Sequence, residues 1–152
     1  MNDDPSTDKL TQYHSGECFR NEKLPLYISK AARAQKPFGT VMIELGRYYT
    51  DAVTDDERAQ IVTDIRHLID TLTIPGNEGI LTPDVKAREE NRFYLLMRFA
   101  DEIECRHILH ALYDSLIVSG YSGAKIAAKS FDPATSHTDA AQVLGDLESL
   151  LK

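Results

Sequence analysis

The stretch "KAREENRFYLLM", Lys86–Met97, carries the pattern on which the fold turns. A charged approach leads into two acids, an asparagine and an arginine in a row, and a run of large apolar residues leaves them. Extended segments on either side of a short polar cluster make the chain fold back as a β-hairpin. We assign its arms to "GILTPDVKAR" (79–88) and "RFYLLMRFA" (92–100), joined through the cluster Glu89, Glu90, Asn91 and Arg92. Such a cluster is either a polar turn kept in water or the remains of a reactive site.

Outward from the hairpin the apolar period changes. Thr54 with Glu57 three residues on forms a capping box, and Ile61, Ile65, Leu68 and Leu72 supply the apolar stripe of a helix over 55–72. Upstream, "FGTVMIELG" alternates, with Val41, Ile43 and Leu45 on one side and Met42 and Glu44 on the other, and reads as a strand. A first helix spans 25–35, with Pro25 in its opening turn and Leu24, Tyr27, Ile28 and Ala31 at helical spacing. Downstream, Asp101 and Glu104 form a second capping box, and Ile108, Leu109, Leu112, Tyr113 and Leu116 mark a third helix. "AKIAAKSF" (124–131) follows as a strand with Lys125, Ala127 and Lys129 on one face. A final helix, capped by Ser136 or Thr138, carries Val143, Leu144, Leu147 and Leu151. The order α-β-α-β-β-α-β-α encloses a βαββαβ unit, which predicts an α+β, ferredoxin-like fold with a mainly antiparallel sheet flanked by helices.

The chain has 152 residues, of which 42% are hydrophobic, the size and content of one domain with one sizeable core. We expect residues 7–152 to form that domain and the polar "MNDDPS" of residues 1–6 to be a disordered tail or linker. A formal charge of −7 argues against nucleic acid as a partner, because phosphate binding draws on clustered Lys and Arg. No apolar stretch is long enough to span a bilayer and none near Met1 resembles a secretory signal, so the expected location is the cytoplasm. Cys18 and Cys105 stand apart in sequence and read as reduced thiols.

Several segments, in order, resemble the GGDEF domain of bacterial diguanylate cyclases. Asp8-Lys9-Leu10-Thr11 matches that family's opening Asp-x-Leu-Thr, and "AQKPFGTVMIELGRYY" its Gly-x-Pro segment and first strand. "PDVKARE" is similar to the lead-in to the signature hairpin, "FYLLM" to the strand leaving it, and "FDPATSHTDAAQVLGDLESLLK" to the last loop and helix. The resemblance covers nearly the whole chain. It implies a domain that binds GTP with magnesium and pairs with a second copy to make cyclic di-GMP, using carboxylates at the first strand end and the hairpin as hard oxygen ligands.

Position by position, that chemistry is not retained. Glu44 stands at the first metal-ligating acid, but Gly46 replaces the second, Tyr48 holds the aromatic position and Tyr49 that of the lysine. The guanine-reading asparagine falls on Ala52. The signature is one residue short, with Glu90 and Asn91 in place of paired glycines and Arg92, counted back from Phe93, in place of an acid. Glycines let main-chain N–H groups approach phosphate, and a cation at Arg92 disfavours magnesium. The inhibitory Arg-x-x-Asp keeps only Asp84, with Leu81 at the arginine position. The resemblance thus implies a catalytically inactive, degenerate domain without cofactor or metal. It would act as a regulatory or interaction module in cyclic di-GMP signalling, with a protein or neighbouring domain as partner and no binding of GTP or cyclic di-GMP.

Glu44, Glu89, Glu90, Asn91 and Arg92 are its vestigial or interaction site. Two alternatives stand beside it: a nucleotide or small-molecule sensor, or residual cyclase, using the altered cleft, and an unrelated ferredoxin-like interaction module. The last would lack a first helix packed on the sheet. Glu104 and His107, with Cys105 and His110, have spacings that could aim at one metal, but histidines flanking an amphipathic helix are the favoured account. Tyr48 and Tyr49 could form a contact surface or cover the sheet end.

Overall fold

The structure, a computed structural model, describes residues 7–52, 54–72, 83–134 and 138–151. The expected tail (1–6), the start of the first hairpin arm (79–82) and the candidate cap Ser136 lie outside these residues.

Strand β2 (Phe38–Glu44) is the centre of the sheet. It pairs antiparallel along its whole length with β4 (Arg92–Arg98) on one side and β5 (Lys125–Phe131) on the other. Strand β3 (Val85–Glu89) continues the sheet antiparallel to β4, and a two-residue β1 (His14–Ser15) adds a parallel edge, giving the order β1-β3-β4-β2-β5. The four longer strands follow the predicted ferredoxin-like connectivity.

Alternation sends successive side chains to opposite faces. Val41, Ile43, Leu45, Phe93, Leu95 and Met97 pack with Ile65 and Ile69 of α4 (Asp55–Leu72) and Ile108 and Leu112 of α5 (Glu102–Val118). Phe38, Met42, Tyr94 and Leu96 pack on the other face with Leu24 and Ala31 of α2 (Leu24–Ala34) and Val143 and Leu147 of α6 (Ala140–Leu150). The first helix therefore does pack on the sheet, as the GGDEF resemblance requires. Burial of both faces explains why β2 is apolar at nearly every position: only Glu44, at its end, leaves the buried class.

The predicted helices stand, with corrections at their edges. Val62 and Ile69 join Ile65 and Leu68 as the buried residues of α4, whereas Ile61 and Leu72 are only partly covered. On α5 the buried residues include Cys105, and Tyr113 is exposed. Asp101 and Glu104 make both bonds of their capping box. At the last helix the N-cap is Asp139, whose carboxylate accepts from the Gln142 N–H at 2.8 Å, displacing Thr138 from that role. Three short elements carry no periodic signal: α1 (Gly16–Cys18), a π-helical turn at Phe19–Lys23, and α3 (Arg47–Thr50). In the hairpin, Glu89 and Arg92 are not loop residues but the last cross-strand pair, and the turn is Glu90–Asn91 alone. Glu90 sits at φ +50, a conformation that glycine adopts without strain.

Replacing Glu90 with glycine is expected to raise the unfolding free energy by about 0.5–1 kcal/mol, read from urea denaturation, because relief of left-handed strain outweighs added chain freedom. Gly39→Val should have the opposite effect. A Cβ at Gly39 would lie 2.7 Å from Cys105 Sγ and 2.8 Å from Ala100 Cβ, so overpacking there should cost about 2–3 kcal/mol in the same measurement.

Candidate functional site

The sheet register places Glu44 directly opposite Arg92. Both point to the α6 face, where Arg92 Nε and Nη2 donate to Glu44 Oε2 at 3.0 and 2.9 Å. The remaining terminal nitrogen, Nη1, donates to Glu148 Oε1 of α6 at 3.1 Å. One guanidinium thus joins the end of the central strand, the hairpin and the final helix. Burial works against the Arg92 charge, but hydrogen bonds with Glu44, Tyr94 and Glu148 outweigh it and raise its pKa. Glu148 was not among the expected site residues. Its only sequence signal is its place beside the apolar stripe, four residues after Leu144 and three before Leu151.

The other hairpin charges are also paired. Glu89, the cross-strand neighbour of Arg92 on the side away from Glu44, accepts from Arg20 Nη1 at 2.6 Å. That bond is the largest cause of the raised Arg20 pKa. Gly16 lies against Glu89 so closely that a Cβ there would meet its carboxylate at 2.5 Å, which explains a glycine at the start of α1. Arg88 faces the α4 side and donates to Asp8 Oδ1 at 3.0 Å, with only 11% and 15% of the two side chains exposed. The Arg88 Nε also donates to the Glu90 carbonyl, closing the turn from within. Asp8 in turn accepts from the Thr11 N–H and hydroxyl, so the Asp-x-Leu-Thr segment folds as a tight turn fastened to the hairpin. Of the five expected site residues, Glu44, Glu89 and Arg92 are held by ion pairs. Glu90 and Asn91 form the turn itself, and the exposed Glu90 side chain points away from these pairs into solvent.

The neighbouring tyrosines close the sheet end. Tyr48 Oη accepts from the Gly123 N–H at 2.9 Å and its ring meets Tyr121 edge-on. The Tyr49 ring lies 6.0 Å from the guanidinium carbons of both Arg58 and Arg88. Covering the sheet end is therefore their structural role.

These residues do not fit magnesium. An octahedral ion needs several free oxygen ligands, whereas Glu44 already accepts twice from Arg92, Gly46 offers no side chain, and the cationic guanidinium itself occupies the space between the two acids. Among the described residues no cluster of three or more His, Cys, Asp or Glu could hold a metal ion. In the Glu104–His110 segment, Cys105 points into the core while His107 and His110 are exposed, so helical spacing does not bring them together. Burial, with Asp101, Glu102 and Glu104 nearby, pushes the Cys105 thiol up to about 12, leaving it un-ionised at neutral pH. Cys18 is buried and donates from Sγ to Glu22 Oε2 at 3.0 Å. An open groove of about 660 Å³ lies between α4 and α5, lined by Asp64, Arg66, His67, Asp114 and Tyr121, and none of the five expected site residues borders it. No described helix is long and apolar enough to cross a membrane.

No protein-family profile and no curated protein matches this chain. Solved structures do. The GGDEF domain of DgcB from Caulobacter crescentus, solved in complex with c-di-GMP, superimposes with a TM-score of 0.76 at 13% identity over 99% of this chain and 90% of that one. Diguanylate cyclase SiaD from Pseudomonas aeruginosa, solved with its activator SiaC, matches with a TM-score of 0.75 at 14% identity over 95% of this chain but only 56% of that one. The S helix-GGDEF-EAL portion of LapD from Vibrio cholerae gives 0.71 at 12% identity, and this chain spans 33% of it. The chain therefore has the fold of a GGDEF domain, with an ion-paired arginine where that fold is expected to present an acid.

Proposed function

We propose that this chain is a GGDEF-type domain without cyclase chemistry, forming a single domain over 7–152 and working as a regulatory or protein-interaction module in cyclic di-GMP signalling. The observation that carries the reading is the Arg92 guanidinium fixed between Glu44 and Glu148. To bind a divalent ion through Oε2, Glu44 would have to give up two charge-assisted contacts from Arg92, and the site would bring two cations close together. The hairpin adds to this. Its turn, Glu90–Asn91, has no glycine to let phosphate oxygens approach the main chain. A domain that keeps its scaffold while closing its site with ion pairs retains value as a surface. SiaD, solved with a protein activator, supports the view that this fold serves as a platform for regulators. The sensor reading draws no comparable support, because the residues of the altered cleft are engaged with one another.

Incubation with GTP and magnesium or manganese should yield no cyclic di-GMP by mass spectrometry; turnover abolished by Glu44→Ala would overturn the proposal. Calorimetric titration with GTP, ATP and cyclic di-GMP should be silent, whereas saturable binding lost in Glu44→Ala would favour the sensor. The pairs should instead register as stability. Arg92→Met is expected to cost about 1 kcal/mol, and a double-mutant cycle with Glu44→Gln should return a coupling of about 0.5–1 kcal/mol.

A further inference from the structure

The opposite end of β4 carries a different kind of surface. Phe99, the residue after the strand, is exposed (42%) and sits at φ +60. Left-handed backbone is costly for an aromatic residue, and glycine would satisfy the turn from β4 into α5 without strain. The phenylalanine there sets an exposed ring at a position where the backbone is strained. Two cations flank it: Lys36 Nζ lies 4.9 Å and the Arg98 guanidinium carbon 5.7 Å from its centroid. On the adjoining face of α2, Lys30 Nζ stands 5.5 Å from the Tyr27 ring, and the exposed Leu26 lies next to it. A shallow cleft lined by Tyr27, Lys30, Pro37, Arg98 and Phe99 joins the two halves. Within this patch Arg98 pairs with Asp84 at 3.5 Å, while Lys30 and Lys36 rest over aromatic rings, on a chain of formal charge −7.

We propose that this patch docks an acidic peptide segment of a partner protein, with Phe99 as the apolar anchor and Lys30, Lys36 and Arg98 pairing the peptide's carboxylates. The local charge excess supplies the complementarity and the rings supply the desolvated contact that concentrates binding energy. A short acidic segment fits better than nucleic acid or an anionic membrane. Those polyanions need a longer row of cations and would meet the field of an otherwise acidic surface. The surface lies about 20 Å along β4 from Arg92, so it is independent of the altered hairpin and its failure would leave the proposed loss of cyclase chemistry untouched.

The test is fluorescence anisotropy with a labelled ten-residue peptide of alternating Glu and Asp interrupted by two leucines. Saturable binding with a Kd on the order of 10–100 µM is expected near 50 mM salt, weakening as salt is raised to about 300 mM. Lys36→Glu with Arg98→Glu should weaken it at least about 10-fold. Phe99→Gly should weaken it about 5-fold or more while leaving Tm within a few degrees. Lys125→Glu, at the far end of the sheet, should leave binding as it is. Absence of saturation by about 1 mM peptide, an equal loss in Lys125→Glu, or tighter binding of oligothymidine or phosphatidylserine vesicles would each overturn the proposal.

Discussion

Strand β2 is hydrogen-bonded along both edges and buried on both faces, and the position of every other element follows from that constraint. A strand with no exposed side is apolar at nearly every position, Thr40 being its buried polar side chain, and its neighbours must bring helices to cover both faces. The first charged side chain it presents is the one where burial ends, Glu44. The two-residue turn then fixes which hairpin residue stands opposite. With Glu90 and Asn91 in the turn, Arg92 is paired with Glu89 on one side and with Glu44 on the other. A slip of one residue would invert every face of β4 and bury Arg92 among Phe93's partners. The shortened signature and the apolar alternation of "FYLLM" therefore act together to aim the guanidinium at the acid.

Once aimed, Arg92 becomes one knot in a series. Asp8 with Arg88, Arg20 with Glu89, and Glu44 and Glu148 with Arg92 tie the N-terminal turn, the π-helical turn at Phe19–Lys23 and the last helix to one hairpin. The Asp8–Arg88 pair is the most enclosed of these and carries four further hydrogen bonds, two accepted by Asp8 and two donated by Arg88. A buried charge pair is tolerated only under that condition. The partly exposed pairs each contribute less, but each removes a charge from any reaction at the hairpin.

Where the information is local, the sequence is sufficient to read the fold. The alternation from Val41 to Leu45, the Asp101–Glu104 box and the helical stripe through Ile65 and Leu68 each require only neighbouring residues, and each is found where expected. Tertiary partners are less legible. Strand β1 is two residues held extended by the parallel contact of His14 with Ala87 and Ser15 with Arg88 and by a bridge from His14 to Thr7. The π-helical turn at Phe19 puts that ring in a stack with Tyr94 at 4.7 Å, a contact no spacing rule encodes. At the candidate site, Glu44 and Arg92 stood out as substitutions against a family pattern, but their direct contact depends on a register set far away in sequence. Glu148 and Arg20 had no signal beyond being charged residues near a helix.

The two ends of β4 now differ in a way that bears on how the domain is used. At the Arg92 end, the hairpin's charged strand residues meet opposite charges within the chain, and its one strained residue, Glu90, is closed off by the Arg88 hydrogen bond to its carbonyl. At the Phe99 end, strain is kept at an exposed ring, and the flanking lysines rest over aromatic faces instead of carboxylates. A folded chain gains nothing from holding a phenylalanine in a glycine conformation in water. The strain and unbalanced charge are accounted for if both are resolved in a complex. On the docking proposal, the open basic end of the strand, and not the closed hairpin, is the surface that meets another molecule.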